Sequence, residues 1–413
     1  MKFNFKSNSL SKVACLQSLI QMITFQSRKN NKKFIEKLSS FFSVSSNQVF
    51  LFGAGRMAVY SVLKSLKLKP EDEVIVAGYT CVVLTNAIKF ANCKIKYVDI
   101  KKESLNIDNE LLFNSINENT RVAIIPHNFG LVAESIEKIK KKFPTIIIIE
   151  DAAHTFGSKD EDGQLCGTLG DASFFSLEYS KPITTGLGGV LIVNNQELSE
   201  AIENEYNGLK KMPFSSTFKI ISTLCTMTFY YSKRTQFFYT NGFRFLRLFK
   251  LVYQTSEDEI NGILPENYPV KLNPLLANFG YNQMNRIKEI NDKKNVIQEK
   301  LMKAFDKFKD VEKYEVGNTV LARFPILFKS SVKQEVIATI KQQALDEGYL
   351  FGEWFNDVVH PKGSYRYGYD SGMCPEGEYV ASRILNIPVN AYSRVTSSEI
   401  QEIVAIFKAN GIK

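Results

Sequence analysis

The chain alternates short apolar runs with segments whose apolar residues recur every three or four positions. The runs are VFLF, EVIVAG, KIKYVDI, VAIIPHN, TIIIIED and GGVLIVNN, all between residues 49 and 195. Helical patterns such as MAVYSVLKSLKL and LTNAIKFA separate them. Strands joined through helices are typical of a parallel sheet, and continuously apolar strands are typical of one covered on both faces. The pattern predicts an α/β fold.

The pattern changes after residue 205. Residues 206–256 contain no Asp or Glu and carry eight Lys or Arg residues among many Phe and Tyr. Residues 273–305 have the periodicity of one long helix, and the rest shows strand LARFPILF and two further helices. We therefore expect a large domain over 1–265 with a basic, aromatic insertion. The linking helix and a small α+β domain would occupy 266–413.

The composition is typical of a globular protein with reduced cysteines. The chain has 413 residues, 44% of them hydrophobic, and a net charge of +9 that favours anionic ligands. Its six cysteines show no paired spacing, which indicates reduced thiols in a cytoplasm and argues against a zinc site or a disulfide scaffold. The N-terminus predicts an amphipathic helix rather than a secretion signal, because glutamines interrupt its apolar run. No run reaches the ~20 apolar residues that cross a bilayer.

Asp151 ends the most apolar run of the chain. Ligands of open parallel sheets bind beyond the carboxyl ends of the strands, where this residue is expected. A buried carboxylate is costly unless a charged or hydrogen-bonding group meets it. A lone aspartate of this kind is most often a helix cap, so its role depends on its neighbours.

Two glycine-containing segments supply such neighbours. In FGAGRMAVYS a strand gives way to a helix near Arg56, and free N–H groups at a helix start bind phosphate well. In FFSLEYSKPITTGLGGVLIV, Lys181 lies in a Thr- and Gly-rich turn five residues after Ser176. Both segments are expected at the same edge of the sheet as Asp151.

These groups together fit pyridoxal phosphate. The amine of Lys181 is expected to bind the aldehyde of the cofactor. Asp151 would pair with the protonated pyridine nitrogen, and His154 would hydrogen-bond the phenolic oxygen. The phosphate would lie against the Ser176 hydroxyl and the backbone N–H groups of Gly55, Arg56 and Met57.

At these residues the sequence resembles the DegT/StrS type of sugar aminotransferase, a family of fold-type I pyridoxal phosphate enzymes that act on nucleotide-linked keto sugars. The resemblance covers residues 45–205 and, more loosely, 268–410. It implies a mostly parallel seven-stranded sheet sandwiched by helices, a smaller α+β C-terminal domain, and a homodimer with the site at the subunit interface. The segments that carry it are DEVIVAGYTCVVLTNAI, VDIKKESLNID, EDAAHTFGSK, GTLGDASFFSLEYSKPITTGLGGVLIV and ARFPILF.

The resemblance also implies the reaction. One branch of the family, the dehydratases, has histidine in place of the cofactor-binding lysine. This chain keeps Lys181 and so resembles the transaminases, with L-glutamate as the implied amino donor and Lys181 as the general acid and base.

Several positions depart from the family pattern. Cys81 stands where the family often has an aromatic residue beside the cofactor, and Arg56 stands where threonine is usual. Pro182 and Leu187 replace asparagine and glutamate. YPVKLN is the best counterpart of a segment that reaches the phosphate of the partner subunit, with Lys271 in the place of arginine. These changes leave the cofactor chemistry intact and bear on sugar specificity.

Three more residues are candidates for substrate contacts. Tyr179 lies two residues before Lys181, either in the cleft or packed beside the turn. His360 lies in an aromatic, glycine-containing loop of the kind that often lines a site. His127 follows an apolar strand and is equally consistent with a structural histidine.

The insertion over 206–256 has three interpretations. It is a helical excursion packed on the sheet or across a dimer interface, or an interfacial surface for anionic lipids, or a nucleic-acid surface. The last is not expected, because no recognisable module is present. In the membrane interpretation the protein would be cytoplasmic with peripheral membrane contact, through Phe214, Phe218, Phe229, Phe237, Phe238, Phe243, Phe245 and Phe249.

The predicted function is amination of a nucleotide-linked keto sugar for a surface polysaccharide or glycoconjugate. One alternative is a transaminase for another carbonyl acceptor, such as a lipid-linked sugar. Another is a non-catalytic regulator that retains the fold.

Overall fold

The computed structural model describes residues 10–23, 30–134, 136–230, 248, 252–253, 257–392 and 395–413. Its strands are β1 (Val49–Phe52), β2 (Glu73–Ala77), β3 (Thr80–Cys81), β4 (Lys94–Val98), β5 (Ile100–Lys101), β6 (Asn106–Ile107), β7 (Thr120–Pro126), β8 (Ile147–Asp151), β9 (Ala172–Ser176), β10 (Gly189–Val193), β11 (Arg323–Leu327), β12 (Val359–His360) and β13 (Ile384–Pro388).

The α-helices fall between and after these strands. They are α1 (Lys12–Ile23), α2 (Asn30–Phe42), α3 (Gly55–Ser65), α4 (Val82–Phe90), α5 (Asn109–Ser115), α6 (Ile136–Lys142), α7 (Gln196–Gly208), α8 (Phe214–Tyr230), α9 (Glu257–Ile260), α10 (Pro274–Met284), α11 (Ile287–Phe305), α12 (Gln334–Asp346), α13 (Pro375–Arg383) and α14 (Ser397–Ala409).

Seven strands form the main sheet in the order β1-β10-β9-β8-β7-β2-β4. Strands β9, β8, β7, β2 and β4 run parallel, and β10 is antiparallel to both β1 and β9. The mostly parallel sheet expected from the apolar runs, and the seven strands that the family resemblance implies, are therefore confirmed. The carboxyl ends of β8 and β9 lie side by side, with Asp151 opposite Phe174.

The sheet separates two apolar cores because successive side chains of a strand point to opposite faces. In β2, Val74 and Val76 face one core and Ile75 and Ala77 face the other. The first core is covered by α1–α4, α7, α8 and α10, and the second by α6, α11, α12 and α14. Every residue of β2 except Glu73 is buried, which explains its uninterrupted apolar run.

The C-terminal part contains the antiparallel pair β11–β13. The single long helix expected over 273–305 is wrong, because the structure has two helices, α10 and α11, that separate at Asn285 and Arg286. Helix α13 and strand β13 were not expected from the sequence. Helix α10 packs on α1 and α2, whereas most buried residues of α11 belong to the second core. The domain boundary at residue 265 stays a prediction.

The expected N-terminal helix is present as α1, and most of the described part of the insertion forms α8. The two helices contact each other, with the sulfur atoms of Cys15 and Cys225 3.7 Å apart. Five of the residues expected to contact a membrane lie outside the described residues: Phe237, Phe238, Phe243, Phe245 and Phe249. Across the part of the chain that the structure describes, no helix is long and apolar enough to span a membrane.

Candidate active site

Asp151 is the last residue of β8 and lies at the carboxyl edge of the sheet. Its Oδ1 accepts a hydrogen bond from the backbone N–H of Ala153 at 3.1 Å. Burial raises the pKa of Asp151, and the Ala153 N–H, the charge of Lys181 and His127 act against that rise. A nearby cation would therefore stabilise the ionised carboxylate.

His154 follows Asp151 in the same turn and is buried. Its Nδ1 accepts a hydrogen bond from the backbone N–H of Phe129 at 3.2 Å, so the neutral ring carries its proton on Nε2. Burial, together with the charges of Lys181 and Arg323, holds the pKa of His154 well below its usual range. The ring stacks on Trp354 with centroids 5.3 Å apart and planes 10° apart. His154 is thus a fixed, neutral N–H donor.

Lys181 lies in the turn that links β9 and β10, where its backbone N–H donates to the Glu178 carbonyl at 3.0 Å. Its Nζ lies 4.5 Å from the centre of the Trp354 ring. Burial lowers the pKa of Lys181, against the opposing charges of Glu178 and Asp151. Lys181 and His154 thus contact the same indole ring, and the charges of Lys181 and Asp151 influence each other.

Hydrogen bonds fix the turn that carries Lys181. The Thr184 N–H donates to Oε1 of Gln283 at 3.1 Å, and Nε2 of Gln283 donates to the Thr184 carbonyl at 2.6 Å. The Thr184 hydroxyl donates to the Leu177 carbonyl and accepts from the Gly186 N–H. Gly186 has φ +85°, a conformation that glycine adopts without strain. The Thr- and Gly-rich sequence is therefore needed to hold the turn.

The start of α3, the candidate phosphate cradle, leaves two of the three N–H groups expected to hold the phosphate open, since the Met57 N–H instead donates to the Ala54 carbonyl at 3.1 Å. The N–H groups of Gly55 and Arg56 open the helix, where no carbonyl of a preceding turn can accept from them. A Cβ on Gly189 would lie 2.5 Å from the backbone of Ala54 and Gly55, so β10 passes directly against this helix start. A Cβ on Gly55 would lie 3.5 Å from the Cα of Ser176. Ser176 and the first turn of α3 are thus brought together.

The Arg56 side chain has a partner that the sequence did not indicate. Its guanidinium forms a two-pronged ion pair with Glu259 of α9, with Nη2 2.8 Å from Oε2. Burial alone would lower the pKa of Arg56, but the Glu259 carboxylate outweighs it and raises that pKa. Since this acid already neutralises the arginine, backbone N–H groups are better placed than the side chain to hold a phosphate.

Cys81 and His360 meet where β3 pairs with β12. Burial raises the pKa of Cys81, and burial and the charge of Lys181 lower the pKa of His360 to about 4. His360 Nδ1 lies 2.8 Å from Oδ1 of Asn356, and its ring lies against Phe355. A neutral histidine of the C-terminal part therefore lies at the same edge as Lys181.

Three other candidates are engaged elsewhere. The Tyr179 hydroxyl donates to the Ile220 carbonyl of α8 at 3.4 Å, and so faces the insertion. Lys271 donates to the Asn207 carbonyl at 3.1 Å, with its Nζ 4.7 Å from the Tyr206 ring centre. His127 forms a buried pair with Glu150 at 3.0 Å, which favours its structural interpretation.

The cleft beside Lys181 also contains residues that sequence reasoning missed. Its walls come from the Lys181 turn and from the ends of β11 and β13, and Arg323 and Trp354 adjoin it. The only signals were an arginine at the start of the apolar run ARFPILF and the single tryptophan of the chain. The lining residues are Ser180, Lys181, Pro182, Ala322, Arg323, Pro388, Val389 and Asn390.

Comparison with known proteins decides the family. The model of the DegT/DnrJ/EryC1/StrS aminotransferase family matches residues 10–408. The chain belongs to this family. The DegT/DnrJ/EryC1/StrS protein is accordingly a pyridoxal phosphate-dependent aminotransferase, and the resemblance seen in the sequence is confirmed.

Individual relatives agree with this assignment. The chain is 22% identical to the spore coat polysaccharide biosynthesis protein SpsC of Bacillus subtilis, over 84% of this chain and 81% of that one. It is 30% identical to GDP-perosamine synthase of Escherichia coli O157:H7, over 45% of this chain and 49% of the synthase. Among solved structures it is similar to Helicobacter pylori PseC, an aminotransferase of pseudoaminic acid biosynthesis, with TM-score 0.76, 17% identity and 99% coverage of both chains.

The residues of this DegT/DnrJ/EryC1/StrS chain fit the cofactor. Three groups lie at one edge of the sheet. They are the buried carboxylate of Asp151, which needs a cation, the Lys181 amine, whose pKa is lowered, and the open N–H groups at the start of α3. They match the three charged or reactive parts of pyridoxal phosphate. Asp151 would hold the pyridine nitrogen, Lys181 the aldehyde carbon, and Ser176 with the first turn of α3 the phosphate.

Proposed function

We propose that the protein transfers the amino group of L-glutamate to a nucleotide-linked keto sugar, in the synthesis of a surface polysaccharide or glycoconjugate. The observation that carries this proposal is geometric. The Lys181 Nζ lies 4.5 Å from the centre of the Trp354 ring on which His154 stacks, and His154 follows Asp151 at the end of β8. The named relatives that use nucleotide sugars support the substrate class.

The bound cofactor supplies an electron sink for the bond that breaks at the donor's Cα. Lys181 then acts as the base and acid that carries the proton, because its lowered pKa leaves more neutral amine near pH 7 than an exposed lysine has. Asp151 keeps its negative charge toward the pyridine nitrogen. His154, fixed by Phe129 and Trp354, donates Nε2–H toward the phenolic oxygen.

The experiment is a panel of nucleotide-linked keto sugars incubated with L-glutamate and the cofactor-loaded enzyme, with products read by mass spectrometry. We expect an amino sugar and 2-oxoglutarate in equal amounts. Lys181→Ala should lower turnover by at least about 10³-fold, because no other group replaces its amine. Lys159→Ala, which changes an exposed lysine, is the matched control. Full turnover by Lys181→Ala would contradict the mechanism and favour a non-catalytic role for this site.

The active form is proposed to be a cytoplasmic homodimer. Support comes from Lys271, whose half-buried ammonium contacts the Asn207 carbonyl and the Tyr206 ring within its own chain. In the dimer its ammonium would approach the phosphate of the partner subunit.

Peripheral membrane contact is a further part of the proposal. On α8, Phe214 is 68% exposed and Phe218 is 50% exposed, and on the adjoining α1 three apolar side chains are more than half exposed. Such a surface with basic residues nearby suits anionic headgroups. The three residues of α1 are Val13, Leu16 and Ile20.

Flotation with liposomes tests this contact. We expect the protein to float with vesicles containing anionic lipid and not with neutral ones, and Phe214→Ser with Phe218→Ser to abolish flotation. Failure to float with either vesicle would reject membrane contact and leave the aminotransferase proposal untouched. A lipid-linked acceptor would be favoured only if flotation and activity on such an acceptor occur together.

A further inference from the structure

Two of the six cysteines lie side by side although they are far apart in the sequence. The sulfur atoms of Cys15, on α1, and Cys225, on α8, are 3.7 Å apart. Cys15 is fully buried, whereas Cys225 is partly exposed. Sulfur atoms joined in a disulfide are about 2 Å apart, so a small movement of the two side chains would bring them to bonding distance. The aminotransferase mechanism uses neither residue.

The contact distributes the two thiol protons unequally. The hydrogen bond with Cys225, together with burial, raises the pKa of Cys15. The same hydrogen bond lowers the pKa of Cys225, against the effect of burial. The Cys15 S–H is therefore the donor and the Cys225 sulfur the acceptor. Since the thiolate is the reactive form of cysteine, Cys225 is the nucleophile of the pair.

The remaining four cysteines are less reactive. Burial raises the pKa of each thiol, which leaves little thiolate near pH 7. An oxidant is therefore expected to react first at Cys225. The four are Cys81, Cys93, Cys166 and Cys374.

Helix α8, which carries Cys225, packs directly against the turn that holds Lys181. The Tyr179 hydroxyl donates to the Ile220 carbonyl of α8 at 3.4 Å. A Cβ on Gly186 would lie 2.6 Å from Cγ2 of Ile220, so the helix and the turn are in close contact. Helix α8 is thus one support of this turn.

Helix α1, which carries Cys15, is connected to the same turn through α10. The side-chain amides of Asn278 and Asn282 donate to the carbonyl and the hydroxyl of Ser18, both at 2.9 Å. The next residue of α10, Gln283, exchanges two hydrogen bonds with the backbone of Thr184. A bond between α1 and α8 would therefore join two supports of the Lys181 turn.

We propose that Cys15 and Cys225 are a modification site, where hydrogen peroxide or another hydroperoxide forms a disulfide that ties α1 to α8. The Cys225 thiolate attacks one peroxide oxygen, the O–O bond breaks, and hydroxide leaves Cys225 as a sulfenic acid. The Cys15 sulfur then attacks the Cys225 sulfur. The S–S bond forms, and the sulfenic oxygen leaves as water with the thiol proton. The two sulfurs lose two electrons in total, and one peroxide gains them.

The first test maps the disulfide in the wild-type holoenzyme. The protein is reduced with dithiothreitol, desalted and exposed to hydrogen peroxide. Free thiols are then alkylated, and an unreduced digest is analysed by mass spectrometry. We expect the loss of two thiols per chain and a linked peptide pair containing Cys15 and Cys225, both reversed by dithiothreitol. A linkage between other cysteines, or oxidised Cys225 beside a free Cys15 thiol, would overturn the proposal.

Variants identify the attacking sulfur. In Cys225→Ser, oxidation of Cys15 should slow by about 10-fold or more, because the remaining thiol is buried and keeps its proton. In Cys15→Ser, Cys225 should still form a sulfenic acid, which a dimedone reagent traps, but no linked peptide. Cys93→Ser is the control and should form the disulfide as the wild type does. Oxidation of Cys15 at the wild-type rate in Cys225→Ser would contradict the assigned roles.

Hydrogen exchange tests whether the disulfide restrains α8. Amide exchange in peptides of α8 should slow by about 10-fold or more when the wild type is oxidised, because the link opposes local opening of the helix. Peptides of α12 provide an internal control and should not change. Peroxide-treated Cys15→Ser should show no slowing. Unchanged exchange in α8 after the linked peptide has formed would overturn the restraint. Neither readout depends on turnover, so both remain valid if the proposed function fails.

Discussion

At the residue scale, the site depends on side chains whose charge states are set by burial rather than by exposed partners. Burial raises the pKa of Asp151 and lowers those of Lys181 and His154. Each shift favours the neutral form of its group. The charged forms of Asp151 and Lys181 are stabilised by each other. A bound cofactor would supply the missing cation for Asp151 and the missing covalent partner for Lys181.

A buried lysine outside the cleft, Lys294, has a pKa that burial alone lowers. Lys294 of α11 is fully buried, and its Nζ has no hydrogen-bond partner among the described residues. Burial lowers the pKa of Lys294 to about 7. An unfolded lysine titrates near ~10.4, so from pH 7 upward the unfolded chain binds a proton that the folded protein lacks. This group alone makes stability rise with pH across that window.

We therefore expect Lys294→Met to increase the free energy of unfolding at pH 7 by about 2 kcal/mol, because methionine buries without losing a proton. Urea unfolding at pH 7 and at pH 9.5 measures it, and the gain should shrink at the higher pH. Lys300→Met, an exposed lysine of the same helix, should show neither the gain nor the pH dependence. A gain in the free energy of unfolding that grows with pH would contradict the lowered pKa of Lys294.

At the element scale, the cradle depends on how closely β10 approaches the start of α3. The atoms that a Cβ on Gly189 would meet are all backbone atoms of Ala54 and Gly55, so none can rotate away. A side chain at position 189 must therefore move β10 away from the start of α3, which widens the proposed phosphate site. Gly189 is therefore expected to affect cofactor affinity, because it sets the distance between β10 and α3.

Gly189→Ala should lower the free energy of unfolding by about 1–3 kcal/mol and weaken cofactor binding at least ~10-fold. A titration followed by cofactor absorbance, together with urea unfolding, measures both quantities. Gly208→Ala is a suitable control, because a Cβ there meets nothing within 4 Å. Wild-type affinity in Gly189→Ala would exclude this part of the cradle from the cofactor site.

Some parts of the site were predictable from the sequence and others were not. Strand-end Asp151 and the turn of Lys181 were predictable because parallel strands bring their carboxyl ends to one edge. The pairing of Arg56 with Glu259 was not, since the two residues are 203 positions apart. The burial of Lys294 was not predictable either, because a lysine within a helix is usually exposed. Contacts of Arg323 and Trp354 with the Lys181 cleft likewise depend on packing of the C-terminal part, which periodicity does not encode.

At the scale of the whole molecule, the proposed dimer makes each site depend on two chains. Lys181 would act within its own subunit, whereas Lys271 would act on the phosphate of the partner. The exposed apolar residues on α1 and α8 concern membrane contact, and substituting Phe214 and Phe218 leaves Lys271 itself unchanged. The two proposals can therefore be tested separately.

Mixing inactive variants tests the shared site. Lys181→Ala and Lys271→Ala are each expected to be impaired, and a heterodimer of the two has one site with both lysines intact. Unfolding and refolding the two proteins together should restore about a quarter of wild-type activity, half the sites in half the dimers. If Lys271 served its own subunit, mixing would restore nothing, and that result would reject the shared site.

The most direct measurement of the central claim is the site of covalent attachment. Holoenzyme reduced with borohydride, digested and analysed by mass spectrometry should carry one pyridoxyl group, on the peptide that contains Lys181. Asp151→Ala should weaken the cofactor's retention but leave any attachment at the same lysine. A pyridoxyl group on another lysine, or none on a protein saturated with the cofactor, would contradict the account.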